Sequence, residues 1–243
     1  MIDGKKILAI IPCRRGSKAI IGKNFMPLCG KPLFSWSVDA SLASEYIDWT
    51  LISSNCPMIQ RETLRLYPNR DRLRFVQRPD EISGDFSPSE EALEHGVEFA
   101  EKVLNFQCNY VVMLQPTSPL RPDRLIDKCI EQIIDEHADS LMTVSTHTPF
   151  FVKKETSGQL KWFYDYKNRP MRQQLSENDM FFHDDGSIYL VKRKILLSEK
   201  CRLWGTISLY INDPKSSLQI DTLDDFVILE NIMKLKYSRT GLE

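Results

Sequence analysis

Short apolar runs alternate with helical patterns along the first 145 residues of the chain. The run Lys-Lys-Ile-Leu-Ala-Ile-Ile at 5–11 predicts a strand that is buried on both faces. Further apolar runs predict strands at 48–53, 73–77, 110–114 and 140–145. Apolar residues at helical spacing predict helices at 33–43, 57–67, 88–104 and 122–136. This alternation predicts an α/β fold with a doubly wound, mainly parallel sheet that carries helices on both faces.

The alternation breaks over residues 146–184, which are aromatic and polar without a steady period. This segment is expected to be an insertion that forms an antiparallel flap or a dimer arm. Strands resume at 187–191 and 207–211, and a helix at 222–236 closes the chain. Because no repeat or low-complexity linker is visible, residues 1–243 are predicted to form one domain with this insertion.

Composition narrows the class of protein. Lys and Arg number 32 and Asp and Glu number 33, so the net charge of -1 gives no general attraction to nucleic acid or to anionic membranes. No apolar run approaches the ~20 residues that span a bilayer. The N-terminal residues lack the pattern of a signal peptide, so a cytoplasmic protein is expected. The six cysteines form no C-x-x-C pair and are expected to be reduced thiols of the core and loops.

The loop after the first strand carries the candidate chemistry. It reads Pro12-Cys-Arg-Arg-Gly-Ser-Lys18 and continues to Lys23-Asn24. Ligands of open α/β sheets bind at the carboxyl ends of the strands, and glycines there let backbone amides approach an anion. The loop is neither a Walker A motif nor a G-x-G-x-x-G motif. A solvated basic loop is the alternative, but the position directly after a strand favours phosphate binding.

Several sequence segments resemble, in the same order, those of the acylneuraminate cytidylyltransferase family. These enzymes are the CMP-sialic acid synthetases and their relatives that act on other nonulosonic acids. The matching segments are Ile11 to Lys18, Lys23-Asn24, Pro27 to Leu33, Gln77-Arg-Pro-Asp-Glu81 to Asp85, Leu114-Gln-Pro-Thr-Ser-Pro-Leu-Arg121, Arg172-Gln-Gln-Leu175, Asp185-Gly-Ser-Ile-Tyr189 and Ile220-Asp-Thr222. The resemblance implies a Rossmann-like nucleotidyltransferase fold, a homodimer, Mg²⁺ and CTP. It also implies that the 2-hydroxyl of a sugar acid attacks the α-phosphate of CTP and that pyrophosphate leaves.

The cations of the first loop could bind a triphosphate and neutralise its charge. Phosphoryl-type transfer depends on such positioning and charge neutralisation. The loop residues expected to bind the nucleotide are Arg14, Ser17, Lys18 and Lys23. The resemblance alone adds Asn24, Arg78 and Ser89 to the nucleotide-binding residues. The resemblance places Gln115, Arg172 and Asp185 at the sugar acid, with Arg172 acting in its own subunit or in the partner. The expected catalytic residues are Arg14, Lys18, Lys23 and Asp221.

The metal is expected at Asp221, because Mg²⁺ prefers oxygen ligands and is also coordinated by phosphate oxygens. Gln219 stands where the family usually has a second carboxylate, so either one carboxylate suffices or the metal affinity is weaker. Asp224 and Asp225 are expected to begin the last helix. Arg121 is expected to meet carboxylates around the first turn of the helix that follows it.

Other departures from the family lie in the first loop, where Ala19 replaces a glycine and Ile21 a proline. His183 is a candidate base for the 2-hydroxyl proton. The favoured interpretation is that it shapes the substrate site or lies at the surface.

Three alternatives to a CMP-nonulosonic acid synthetase are open. A KDO-type cytidylyltransferase is disfavoured by the Ser17-Lys18 and Lys23-Asn24 pairs, and a sugar-1-phosphate nucleotidyltransferase by the absence of its opening motif. A non-catalytic nucleotide-binding relative is supported only by Gln219.

Overall fold

The computed structural model describes residues 2–16, 20, 22–68 and 71–239. The strands are β1 (Ile7–Pro12), β2 (Pro27–Leu28), β3 (Lys31–Pro32), β4 (Trp49–Ser54), β5 (Leu73–Gln77), β6 (Tyr110–Leu114), β7 (Ser140–His147), β8 (Val152–Lys154), β9 (Leu160–Trp162), β10 (Phe181–Lys192) and β11 (Ile207–Ile211). The α-helices are α1 (Leu33–Ala43), α2 (Pro57–Leu66), α3 (Ser89–Val103), α4 (Leu125–Asp135), α5 (Arg193–Glu199) and α6 (Leu223–Arg239).

The central sheet has seven strands in the order β11-β7-β10-β6-β1-β4-β5. Strands β6, β1, β4 and β5 run parallel to their neighbours, and β11 runs parallel to β7. Strand β10 lies between β6 and β7 and is antiparallel to both. The seven strands predicted from apolar runs are the seven strands of this sheet, so the predicted doubly wound, mainly parallel α/β fold is confirmed.

Strand β1 shows why the sheet needs helices on both faces. Ile7, Ala9 and Ile11 belong to the core that the sheet shares with α1, α2 and α4. Leu8 and Ile10 belong to the second core, which is completed by α3 and α5. All five side chains are fully buried, as expected for a central parallel strand between two helical layers.

Helix α3 crosses β1 at Gly96, which lets the two elements approach closely. A β-carbon on Gly96 would lie 2.6 Å from Cδ1 of Ile10. We expect Gly96→Leu to lower the free energy of unfolding by ~1–3 kcal/mol or more, because the added atoms overpack a close-packed core. Urea denaturation measures this loss.

The control for this change is Glu98→Leu, which adds the same side chain to an exposed position of α3. It is expected to stay within ~0.5 kcal/mol of the wild type, since exposed substitutions are nearly neutral. Equal losses in both variants would contradict a close contact at Gly96.

Two helices differ from the sequence-based expectation. Helix α4 begins at Leu125 rather than at 122, because Arg124 adopts a left-handed conformation with φ 59°. Helix α5 was not predicted: it has only seven residues, too few for a helical period to show.

The segment 146–184 contains an antiparallel pair, β8 and β9, in which Val152 faces Trp162. Its first residues extend β7 against the start of β10, where His147 pairs with Phe181. Several of its apolar side chains are about half exposed, including Phe151, Leu160 and Tyr166. Whether this antiparallel segment acts as a flap or as a dimer arm stays a prediction.

All six cysteines are free, as predicted. Burial raises the pKa of the Cys13 and Cys108 thiols to about 12, which makes both unreactive near neutral pH. None of the helices in the described part of the chain is long and apolar enough to cross a membrane.

Candidate active site

A cleft of about 300 Å³ opens at the carboxyl edge of β1, β5 and β6. This edge is where open α/β sheets bind ligands. The cleft is lined by Pro12, Arg14, Gly16, Lys23, Asn24, Arg78, Asp85, Ser87, Pro88, Ser89, Gln115, Pro116 and Thr117. It therefore brings together five of the seven predicted nucleotide-binding residues; Ser17 and Lys18 lie outside the described residues.

Backbone hydrogen bonds tie together the loops that form this cleft. The amide of Cys13, after β1, donates to the carbonyl of Ser53 at 2.8 Å, and the amide of Arg78, after β5, donates to the carbonyl of Ser54 at 2.9 Å. The Ser54 hydroxyl in turn donates to the carbonyl of Cys13. The segments that follow β1 and β5 are thus both fixed to the carboxyl end of β4.

Arg14 reaches across the mouth of the cleft. Its Nη1 donates to the carbonyl of Gly84 at 2.7 Å and lies 3.2 Å from Oδ1 of Asp85. The side-chain amide of Asn24 donates to the carbonyl of Arg14 at 3.3 Å. The Arg14 side chain is 34% exposed, so its guanidinium can still meet an anion that enters the cleft.

Lys23 connects the first loop to the predicted metal ligand. Its side chain is only 10% exposed, and its Nζ donates to the carbonyl of Ile220 at 2.6 Å and lies 3.5 Å from Oδ1 of Asp221. The amide of Ile220 donates to the carbonyl of Thr117 at 2.8 Å. The ammonium group of Lys23 therefore joins the loop after β1 to the segment before α6, and that segment is itself held to the loop after β6.

Arg78 is a buried cation at the inner wall of the cleft. Only 5% of the residue is exposed. Its Nε donates to the hydroxyl of Ser53 at 3.0 Å and its Nη2 to the carbonyl of Ser53 at 2.6 Å. Burial lowers the pKa of its guanidinium, and the charge of Arg14 lowers it further. Both hydrogen-bond partners are neutral, so an anionic ligand in the cleft would stabilise this charge.

Ser89 is the first residue of α3 and lines the cleft. The amides of the first turn of a helix have no partners within the helix, and the helix dipole favours acceptor groups there. Gln115 follows the last residue of β6 and lines the cleft beside Thr117, whose hydroxyl donates to Oε1 of Gln115 at 3.3 Å. Gln115 and Thr117 thus add a side-chain amide and a hydroxyl group to the cleft that the cations also line.

Asp221 fits a magnesium site that depends on substrate phosphates. Its side chain is 71% exposed, and Mg²⁺ often uses one or two carboxylates together with phosphate oxygens. The side chain of Gln219 packs against Gly186, where an added β-carbon would lie 2.3 Å from Nε2 of Gln219. The described residues contain no group of three or more His, Cys, Asp or Glu that could hold a metal without such help.

Asp225 caps helix α6, as the sequence predicted. Its Oδ2 accepts from the amides of Asp221 at 3.0 Å and Thr222 at 2.7 Å, and the Thr222 hydroxyl accepts from the amide of Asp225 at 3.2 Å. Hydrogen bonds from Thr222 lower the pKa of the Asp225 carboxyl. This capping box fixes the backbone that presents Asp221.

Arg121 does not meet the carboxylates of α4, so that prediction is wrong. Its guanidinium is buried and donates to the hydroxyl of Ser37 at 2.8 Å and to the carbonyls of Gln115 at 2.6 Å and Ser187 at 2.8 Å. Burial lowers its pKa to about 9. The residue that pairs with carboxylates of α4 is Arg124, which has a left-handed backbone and lies near Asp127 and Glu131.

Asp185 is fully buried and does not line the cleft. Its carboxylate accepts hydrogen bonds from two hydroxyls, a backbone amide and a side-chain amide. These donors belong to Thr143, Ser187, Asn212 and Ser217. The contact of Asp185 with a sugar stays a prediction. In the structure, its carboxylate links β10 to Thr143 of β7 and to Asn212 after β11.

Arg172 and His183 both lie in the segment 146–184, where His183 belongs to the first residues of β10. Arg172 is exposed and lies on a short 3₁₀ helix, outside the lining of the cleft. The ring of His183 contacts that of His147 at a centroid distance of 5.4 Å, and both line a separate apolar pocket. The structure therefore does not bring His183 to the cleft at the edge of β1, β5 and β6.

Asp85 and Thr117 are among the cleft residues that sequence reasoning missed. Asp85 was part of a recognised segment but received no role, although it pairs with Arg14. Thr117 was interpreted as turn chemistry, yet it lines the cleft and its carbonyl holds Ile220. The position of both within matched segments was the available signal.

The described fold agrees with the comparisons to known proteins. The family model "Cytidylyltransferase" matches residues 8–240, so the chain belongs to the cytidylyltransferase family. The resemblance to acylneuraminate cytidylyltransferases is confirmed by the curated relatives. The N-acylneuraminate cytidylyltransferase of Escherichia coli O18:K1:H7 is 28% identical over 95% of this chain and 53% of its own length.

Two further relatives are matched over nearly their whole length. The pseudaminic acid cytidylyltransferase of Campylobacter jejuni (strain 81-176) is 25% identical over 96% of this chain and 98% of its own. The CMP-N,N'-diacetyllegionaminic acid synthase of Legionella pneumophila is 27% identical over 95% and 97%. The chain thus spans about half the length of the Escherichia coli relative and nearly all of the other two.

A solved structure supports the fold alone. The CMP:2-keto-3-deoxy-manno-octonic acid synthetase complexed with CTP has a TM-score of 0.67 at 16% sequence identity and is covered over 99% of its chain. The match covers 95% of the present chain. A nucleotidyltransferase fold therefore extends over nearly the whole of it.

Proposed function

We propose that this protein is a cytidylyltransferase that activates a nonulosonic, sialic-acid-like sugar acid with CTP. The observation that carries the proposal is the cleft itself, which gathers Arg14, Lys23, Arg78 and the start of α3 in a chain of the cytidylyltransferase family. Three cations around one cleft suit a triphosphate. The two relatives that it matches over nearly their full length are named as a pseudaminic acid cytidylyltransferase and a CMP-N,N'-diacetyllegionaminic acid synthase.

In this proposal each side chain acts by position and charge. Arg14, Ser17, Lys18 and Lys23 hold the triphosphate, and Asn24, Arg78 and Ser89 bind the nucleotide. Gln115 lies beside the sugar acid, and Arg172 reaches its carboxylate from this subunit or from the partner. The 2-hydroxyl of the sugar acid forms a bond to the α-phosphorus, the bond to the β-phosphate oxygen breaks, and pyrophosphate leaves.

We further propose Mg²⁺ at Asp221, a homodimer and a cytoplasmic location. Bound Mg²⁺ would offset the negative charge of the triphosphate. Asp221 is the exposed carboxylate beside Lys23, and Gln219 would contribute at most a neutral oxygen. The half-exposed aromatic side chains of segment 146–184 support the dimer, because exposed apolar patches commonly mark contacts between chains.

The experiment is a substrate panel. The protein is incubated with Mg²⁺, each of CTP, UTP, ATP and GTP, and each of several nonulosonic acids and KDO, and pyrophosphate release is measured. Release with CTP and a nonulosonic acid is the expected result. Release with KDO alone would replace the proposal with a KDO-type enzyme, and CTP binding without release from any acid would indicate a non-catalytic relative.

A further inference from the structure

Arg121 is a buried cation in the loop between β6 and α4. Only 7% of the residue is exposed, and it does not line the cleft. Its Nη1 donates to a hydroxyl of α1, that of Ser37. Its Nη2 donates to the carbonyl of Gln115, directly after β6, and to that of Ser187 in β10. One guanidinium therefore ties three elements of the fold together beside the cleft.

The burial of this charge is costly. Burial lowers the pKa of the Arg121 guanidinium to about 9, and the charge of Asp185 offsets only part of that effect. The groups that accept hydrogen bonds from Nη1 and Nη2 are neutral. Replacing buried charged groups by apolar side chains of similar volume is often neutral or stabilising. What an apolar side chain lacks is the planar fork of arginine, which donates in fixed directions.

The carbonyl of Gln115 is the atom at which these hydrogen bonds converge. It accepts from Nη2 of Arg121 at 2.6 Å, from the hydroxyl of Ser37 at 3.2 Å and from the amide of Ser118 at 3.3 Å. The bond from Ser118 closes a turn whose first three residues line the cleft. The backbone that presents the side chain of Gln115 to the cleft is therefore held from behind by Arg121.

We propose that Arg121 is a positioning residue for the sugar acid and acts by fixing Gln115 in the cleft. This inference rests on the proposed function, in which Gln115 lies beside the sugar acid. The cations proposed for CTP are held by other contacts, Arg14 by the carbonyl of Gly84 and Arg78 by Ser53. Loss of the Arg121 fork should therefore weaken the use of the sugar acid and spare the binding of CTP.

The test is Arg121→Lys, which keeps a positive charge but replaces the fork by a single ammonium group. Its kcat/KM for the accepted sugar acid is expected to fall about tenfold, the effect of about one hydrogen bond at a binding site. Its dissociation constant for CTP, measured by titration calorimetry without sugar acid, is expected to stay within about twofold of the wild type.

The matched control is Arg72→Lys. Arg72 also donates to backbone carbonyls, those of Ile47 and Leu42, but it precedes β5 at the amino edge of the sheet. The control is expected to change neither the use of the sugar acid nor the binding of CTP, because Arg72 lies away from the cleft.

A double-mutant cycle with Gln115→Ala separates positioning from a structural role. If Arg121 acts through Gln115, Arg121→Lys should lower kcat/KM by less than about twofold once Gln115 is alanine. Ser37→Ala removes another donor to the same carbonyl, and we expect it to lower kcat/KM about threefold, again only while Gln115 is present. This second variant gives the answer if Arg121→Lys does not fold.

Three results would overturn the assignment. One is a variant with a lower melting temperature but wild-type kcat/KM for the sugar acid, and another is a full loss that persists in the Gln115→Ala background. The third is an equal loss of CTP affinity, which would make Arg121 a support of the whole cleft. A wild-type protein that turns over no acid with CTP is a different outcome, because it refutes the proposed function before any variant is compared.

Discussion

Lys23→Met is expected to lower the turnover of CTP by about a hundredfold or more, the typical cost of removing one charge-stabilising contact from a transition state. Methionine keeps the length of the side chain but removes the ammonium group. That group is the point where the loop after β1 meets the carbonyl of Ile220 and the carboxylate of Asp221. The variant therefore loses the proposed phosphate contact and the link to the predicted metal ligand. Steady-state kinetics with CTP and the accepted acid measure the loss.

Lys128→Met is the control, because Lys128 is an exposed lysine of α4 and should leave turnover unchanged. Lys23→Arg serves as a second variant that keeps the charge. Thermal melts of all three separate folding from chemistry. If Lys23→Met melted earlier but retained turnover within about fivefold of the wild type, Lys23 would be a structural residue only.

Asp221→Asn is expected to abolish Mg²⁺-dependent turnover. Asparagine keeps the size of the side chain and its oxygen but removes the negative charge that Asp221 offers to a cation beside Lys23. The backbone should keep its shape, because the capping box of Thr222 and Asp225 is untouched. The measurement is turnover against Mg²⁺ concentration, with binding of Mn²⁺ to the CTP complex followed by electron paramagnetic resonance.

The matched control is Asp224→Asn, a neighbouring exposed carboxylate in the first turn of α6. It is expected to retain turnover within about twofold. A persistent wild-type rate in Asp221→Asn would refute the metal assignment. Loss of turnover with undiminished Mn²⁺ binding would also refute it and would give Asp221 a different role.

The strands could be predicted because each is an apolar run short enough to be a buried strand and bounded by turn residues. Strand β1 shows this plainly, since both of its faces are buried. The antiparallel direction of β10 could not be predicted in this way. Burial on both faces produces the same apolar run whichever way the strand points.

Cleft residues could be predicted from the sequence where neighbouring side chains of one type indicate a particular ligand. A cluster of cations after β1 predicted phosphate binding, and Arg14 and Lys23 do line the cleft. Charged residues whose partners are distant in sequence were harder. Arg121 donates hydrogen bonds to Ser37 and Ser187. Asp185 accepts hydrogen bonds from Thr143 and Asn212. The tertiary fold brings these groups together, so no local sequence pattern indicates the contacts.

Identification of the product tests the central claim most directly. The full-length protein is incubated with CTP, Mg²⁺ and the panel of nonulosonic acids, and the products are followed by mass spectrometry and ³¹P nuclear magnetic resonance. The account predicts one pyrophosphate for each CMP-sugar, with the sugar joined to the CMP phosphate through its 2-hydroxyl oxygen. CTP that binds in the cleft but yields no CMP ester with any of the acids would contradict it.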